Sequence, residues 1–336
     1  MRKKILTWIL AGVTVIALTA CGGSPVSQNQ PPAESGQSAS ESGGDSNAAD
    51  IHIGIVVKSL ADQHWALVKA GAEAKAKELG VKVDVIGPNS ESDVQAQVDM
   101  IDNLIGQQVD ALGIAPSSQD AVLGPMKTAD DAGIPILTID TDTTFEKRLS
   151  YIGTGNVTAA RAGGDAAAEV VGSDAKAVIL RGRLGDTTHD EREQGFTEAM
   201  NAAGIEILEI KAADSDAEKG MNITQDLLQV YDRIDLILCT TDNITLGVQR
   251  ALSAADSDAL IMSFDGTSSV CDLIIQGKVL GSVAQNPYAM GQLAVENAVK
   301  AARGEAIEPR IDSGAEVIMQ DNAEAYLKDL MEKAGQ

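Results

Sequence analysis

Short apolar strands alternate with amphipathic helices along this chain, and the alternating series runs through twice. Residues 51–57 are mostly apolar, as a strand covered on both faces requires. Residues 65–79 are rich in Ala, Lys and Glu, which favours a helix, and Gly80 ends it. A second strand at 81–86 leads through Gly87-Pro88-Asn89 to a helix for which Ser92 is the expected cap. In that helix Val94, Val98, Ile101, Leu104 and Ile105 fall on one face. A strand at 111–115, a helix at 119–132 and a strand at 135–139 complete the first series. The second runs as helix 159–171, strand 177–180, helix 191–203, strand 205–210, helix 219–230, strand 236–239, helix 244–255 and strand 260–264. A short strand at 279–284 follows. Strand–helix–strand repetition builds parallel sheets with right-handed crossovers. The expected fold class is therefore α/β, in two similar lobes. Ligands bind beyond the carboxyl ends of parallel strands, so facing lobes enclose a cleft there.

The N-terminus indicates a compartment. Arg2, Lys3 and Lys4 precede an apolar run at 5–18 that is too short for a comfortable membrane span. Small residues then lead to Cys21, and Leu18-Thr19-Ala20-Cys21 resembles the lipobox of bacterial lipoproteins. The resemblance implies that residues 1–20 are a signal peptide and that Cys21 carries a lipid. Residues 22–50 are rich in Ser, Gly, Gln, Pro, Asn and Glu, with almost no large apolar side chain. Such a segment cannot bury enough surface to offset chain entropy, so 21–50 reads as a lipidated cysteine and flexible tether. The expected location is extracytoplasmic, lipid-anchored to the cell membrane or, in a two-membrane bacterium, facing the periplasm. About 285 residues remain, enough for one large or two medium domains. Net charge is −23, and nearer −26 without the three basic residues of the signal, which disfavours nucleic acid as a partner. Cys239 and Cys271 are expected as buried free thiols, with a disulfide as the alternative.

Polar residues gather just past the strand ends. Lys58, Asp62, His64 and Trp65 follow the first strand, and Asp140 and Asp142 follow the fourth. In the second half come Arg192, then Thr241 and Asp242, then Asp265 within Phe264-Asp265-Gly266, and Gln285 after the last short strand. Taken singly, an Asp at a strand end is a cap or turn residue and Arg192 a solvated charge. Taken together they suit a polyhydroxyl ligand. Carboxylates accept from hydroxyls, Lys and Arg donate to oxygens, and an indole covers the apolar face of a sugar.

These residues carry a family resemblance. The opening strand with Lys58, Ser59, Leu60 and then His64-Trp65 resembles the periplasmic sugar-binding proteins of ABC transporters, ribose-binding type. So do Ala115-Pro116, the segment 133–140 ending in Asp140, the segment 192–196 from Arg192 to Phe196, Phe264-Asp265-Gly266, and the segment 283–287. The similarity spans about 51–319, in order and at matching spacing. It implies two Rossmann-like lobes joined by a three-crossing hinge, the type I periplasmic binding protein fold. The crossings are placed near Thr154, Gln285 and Asp312. The N-terminal lobe is then 51–153 plus 286–312, and the C-terminal lobe 154–285 plus 313–336. Ligand positions carried over from the family are Lys58, Asp62, Trp65, Asp140, Arg192, Thr241, Asp265 and Gln285, with His64 where an aromatic often sits. Lys58 is similar to a lysine of the allose-type, hexose-binding branch. The implied function is capture of a monosaccharide or related polyol by a monomer, for delivery to an ABC permease, without a cofactor. A sensor that presents a sugar-like signal to a separate membrane receptor is the alternative.

Some positions depart from the family pattern. Asp62 stands where Asn is common, Thr141 where ribose binders carry Arg, Thr241 in place of a frequent Asn, and Ser215 where a second sugar-stacking aromatic is usual. These departures put ribose itself in doubt and leave a hexose, ketose, polyol or modified sugar. An enzyme is disfavoured. Gly153-Thr154-Gly155 lacks the third glycine of a dinucleotide fingerprint, and no phosphate loop occurs. His52, His64 and His189 show no metal spacing, and His189 has no serine elbow, so it reads as a loop histidine at the cleft rim. A repressor sharing this core is disfavoured by the signal peptide and the charge.

Overall fold

A computed structural model describes residues 51–61 and 63–334. The expected signal peptide, Cys21, the tether and Asp62 lie outside these residues. In the first half the chain forms β1 (His52–Val56), α1 (Gln63–Leu79), β2 (Lys82–Ile86), α2 (Val94–Gly106), β3 (Ala111–Ile114), α3 (Leu123–Asp131), β4 (Ile136–Ile139) and β5 (Ser150–Gly153). It continues through α4 (Asn156–Val171), β6 (Lys176–Arg181), α5 (Thr187–Ala203), β7 (Glu206–Ala212), α6 (Ala217–Val230), β8 (Leu236–Cys239), α7 (Asp242–Ala255) and β9 (Leu260–Asp265). The last part is α8 (Ser268–Ile275), β10 (Gly281–Gln285), α9 (Pro287–Ala302), β11 (Arg310–Asp312), β12 (Ala315–Met319) and α10 (Ala323–Lys333).

Two six-stranded sheets result. One has the order β2-β1-β3-β4-β5-β11 and is parallel throughout. The other has the order β7-β6-β8-β9-β10-β12, parallel except for antiparallel β12. The strand order is the same in both, so the doubled series in the sequence is a doubled fold. Apolar strands are needed because each sheet is covered on both faces. On the first sheet, Ile53 and Ile55 pack with Val68, Ala72 and Val295 of α1 and α9, while Val56 and Ile114 pack with Ile101, Leu104 and Met126 of α2 and α3. On the second, Ile179 and Leu238 pack with Ala160, Phe196 and Met200 of α4 and α5, while Leu180 and Ile237 pack with Leu227, Val248 and Ile274 of α6, α7 and α8.

Several helices begin earlier than their apolar periodicity suggests, whereas α3 begins later, at Leu123 rather than 119. α4, α5 and α7 start at Asn156, Thr187 and Asp242 rather than at 159, 191 and 244. The residues added at these starts are polar except Val157, and so leave little hydrophobic signal. This moves His189 from a loop into the first turn of α5, which Asp186 caps by accepting from Thr188 N–H at 3.0 Å. Ser92 does not cap α2. Asp93 occupies that position without a side-chain bond, and Ser92 Oγ instead lies 2.8 Å from Ser90 Oγ. Cys239 and Cys271 are free and buried, and burial pushes both thiols up to about 12.

The chain passes between the sheets three times, at 154–155, at Asn286 and at 313–314. The passages are bonded to one another. Thr154 Oγ1 donates to Gln285 Oε1 at 2.9 Å, Gly155 N–H to Asp312 Oδ1 at 3.1 Å, and Ser313 N–H to Gly153 O at 2.9 Å.

α1 and α9 cross at two glycines. A Cβ on Gly71 would overlap Tyr288 O, and one on Gly291 would overlap Val68 O. Backbone on both sides cannot move aside as a side chain can. Gly291→Ala should therefore destabilise the protein by about 1–3 kcal/mol, as overpacking does, read from urea denaturation. An unchanged midpoint would show that the helix pair separates freely.

Candidate functional site

Both sheets point the carboxyl ends of their central strands at one cleft. Its cavity has a volume of about 190 Å³ and is lined from both lobes. Lys58, His64, Trp65, Asp140, Arg192, Thr241, Asp265 and Gln285 all line it. These are the candidate residues of the sequence, apart from Asp62. Asp142 does not join them; it turns away to pair with Arg148 and to accept from Thr138 Oγ1 at 3.0 Å.

Asp140 leaves the end of β4 at φ +63°, inside a γ-turn closed by Thr141 N–H to Ile139 O at 2.6 Å. Tyr151 Oη donates to Asp140 O at 2.8 Å and holds the turn. The side chain is thereby delivered to His64 and Lys58 of the first lobe. His64 Nε2 lies 3.2 Å from Oδ1 and Lys58 Nζ 3.8 Å from Oδ2. Burial opposes ionisation, but the His64 hydrogen bond and the charges of His64, Lys58 and Arg192 outweigh it. They hold the carboxyl well below the usual range. Trp65 is buried in the core beneath. Its Nε1 donates to Glu91 at 3.0 Å, His64 meets it edge-on at 4.7 Å, and Lys58 Nζ sits 5.7 Å from the ring centre.

Asp265 is the counterpart in the second lobe, at the end of β9 with φ +122°. Non-glycine residues avoid this backbone region, at a cost of about 1–3 kcal/mol, and persist there only when surroundings over-determine them. Here Oδ1 accepts from Arg192 Nη1 at 3.0 Å and Gln285 Nε2 at 2.8 Å. Oδ2 accepts from Thr241 Oγ1 at 2.7 Å and Asp242 N–H at 3.2 Å. Arg192 is buried rather than solvated. It also donates to Asn156 Oδ1 and Thr240 O, and its guanidinium lies 3.9 Å over the Phe264 ring.

Three further residues line the cleft that were not among the expected ligand positions: Asp242, noted only as one of the polar residues past the strand ends, His189, expected at the rim, and Tyr326, which the sequence did not mark. Asp242 sits behind Asp265, accepting from Ser282 Oγ at 3.1 Å and Thr267 N–H at 2.6 Å. Burial and the nearby Asp265 charge push its carboxyl up to about 7. His189 lines the cleft instead of only its rim, three residues before Arg192 and so on the same face of α5. Tyr326 comes from α10, where nothing local marks it, and its hydroxyl donates to Gly266 O at 3.1 Å. The lobes touch across the cleft mouth. Gln63 Oε1 accepts from Ser268 N–H and Oγ–H at 3.3 and 3.2 Å, and Gln119 Nε2 donates to Thr187 Oγ1 at 3.3 Å. Among the described residues no cluster of His, Cys, Asp and Glu is arranged to hold a metal ion.

Two facing α/β lobes with a polar cleft at their strand ends define a type I periplasmic binding protein. The periplasmic binding protein domain matches residues 53–306, and the chain belongs to that family. It is 32% identical to the ribose import binding protein of Haemophilus influenzae over 275 residues, 82% of this chain and 94% of that one. The D-allose-binding periplasmic protein of Escherichia coli is 26% identical over 285 residues, 82% of this chain and 91% of that one. A carbohydrate transporter solute-binding protein from Agrobacterium radiobacter, solved with D-arabinose, superposes with a TM-score of 0.75 at 26% identity. That match covers 84% of this chain and 99% of the other.

The placement of Asp242 has a consequence for stability. A carboxyl titrating near 4 when unfolded and near 7 when folded keeps its proton in the folded state across that window. Its contribution is full below about pH 4 and is lost as pH rises through 7. Denaturation at pH 5 and pH 8 should show the unliganded protein losing stability relative to Asp242→Asn. Parallel behaviour of the two would contradict the assignment.

Proposed function

We propose that this chain is an extracytoplasmic lipoprotein that captures a monosaccharide or related polyol between its lobes and delivers it to an ABC permease. One observation carries the reading. Each lobe presents an ionisable carboxylate on a strained strand end, Asp140 and Asp265, and both line one cavity with Lys58, Arg192 and Trp65. Carboxylates accept from vicinal hydroxyls, the cations donate to ring or hydroxyl oxygens, and the indole covers a C–H face. The relatives named for ribose and allose, and the neighbour solved with D-arabinose, support the same chemical class.

Capture works through closure. A ligand touching both lobes favours the closed form by its differential affinity for closed over open. Gln63–Ser268 and Gln119–Thr187 are contacts that only a closed arrangement makes, and their donors and acceptors return to water on opening. The closed pair of lobes then presents one composite surface to the permease. Cys21, as the lipid-bearing residue, keeps the protein at the membrane where that permease works.

The test uses Trp65, since the other tryptophan, Trp8, leaves with the signal. Its fluorescence and the melting temperature are recorded against D-ribose, D-allose, D-arabinose and myo-inositol. A true ligand at a hundredfold excess over Kd stabilises by about 2.7 kcal/mol. Asp265→Ala should weaken binding by about a hundredfold or more, because several charge-assisted bonds depend on it. Silence across the panel would sink the sugar reading; retained affinity in Asp265→Ala would remove that residue from the site. For the anchor, Cys21→Ser should move the protein from the membrane fraction to the soluble one.

A further inference from the structure

Ser215 lines the cleft from the turn between β7 and α6, at φ +56°. Its Oγ lies 3.1 Å from His189 Nε2. The other ring nitrogen, Nδ1, lies 2.9 Å from Thr240 Oγ1, and that oxygen accepts from Gly182 N–H at 3.1 Å. The ring is wedged in place, since a Cβ on Gly182 would overlap it.

Counting protons orders this chain of bonds. Thr240 is fully buried and its Oγ1 accepts from Gly182 N–H; among the described residues His189 Nδ1 is the one acceptor within reach of its own proton, which would otherwise be buried without a partner, so the threonine proton goes to Nδ1. The imidazole therefore carries its proton on Nε2 and donates it to Ser215 Oγ. Burial, with the Arg192 charge, pushes the imidazole down to about 4, so it is neutral at ordinary pH. Ser215 Oγ receives a hydrogen bond, and its own proton is left to point into the cleft. Successive bonds of one sense strengthen the last donor.

We infer that Ser215 is a specificity-determining donor to the ligand, with His189 and Thr240 as the positioning residues that fix its direction. The ligand end beneath it presents an acceptor oxygen, and a sugar face without oxygen is disfavoured there. The inference rests on the sugar-binding reading above and deepens it.

Two measurements decide it. Nitrogen-15 histidine spectra of the unliganded protein, with His189 assigned through His189→Gln, should show a protonated Nε2 and a bare Nδ1. The opposite tautomer overturns the relay whatever the ligand. Affinity is then measured for the tightest-binding member of the panel D-ribose, D-allose, D-arabinose and myo-inositol. Ser215→Ala should weaken it about tenfold. Thr240→Val should weaken it only while Ser215 is present, so that the double variant binds like Ser215→Ala, and Thr240→Ser should bind like the wild type. Unchanged affinity in Ser215→Ala, or additive losses in the double variant, overturns the assignment. Were no sugar to bind the wild type, the sugar reading and the ligand contact would both fall, while the tautomer would still decide the relay.

Discussion

The carboxylate of Asp265 is the point on which the second lobe's half of the cleft depends. Its donors come from α5 through Arg192, from β10 through Gln285, and from the start of α7 through Thr241 and the Asp242 N–H. Gln285 in turn accepts from Thr154 in another interlobe passage. One side chain therefore links the binding surface to two of the three passages. A backbone at φ +122° is tolerated because these bonds hold it. The bonds, by outweighing the strain, keep the carboxylate aimed at the cleft instead of letting it relax along the strand.

The first lobe solves the same problem with different parts. Asp140 also occupies a positive-φ position at a strand end, but a γ-turn and the Tyr151 hydroxyl hold it there, and its charge is met by His64 and Lys58. Behind Asp265 lies a second buried acid, Asp242, whereas Asp140 has cations around it. The two half-sites thus differ in electrostatic character. The first favours a fixed anion, and the second backs its carboxylate with a buried acid, Asp242, whose carboxyl burial and the Asp265 charge push up to about 7.

Much of this was legible in the residues. Strands such as 111–115 and 236–239 are short, apolar and bounded by turns, and the doubled order follows from their repetition. Asp140, Asp265 and Arg192 could be singled out because they stand at strand ends or on the next helix, where the topology brings side chains together. What stayed hidden has physical reasons. The polar first turn of α5 lacks periodicity, so His189 looked like a loop residue. Asp142 could not be told from Asp140 by position, because a local ion pair with Arg148 decides which of them faces the cleft. Tyr326 reaches the site only through the packing of α10 on α8, a contact between segments far apart in sequence.

The three passages between the sheets are short, and they are tied to each other by Thr154–Gln285, Gly155–Asp312 and Gly153–Ser313. Two bodies on a single tether can twist, slide and drift apart, and most of their mutual orientations are useless. Three laced connections remove most of those degrees of freedom. The lobes then have almost no orientational search to make.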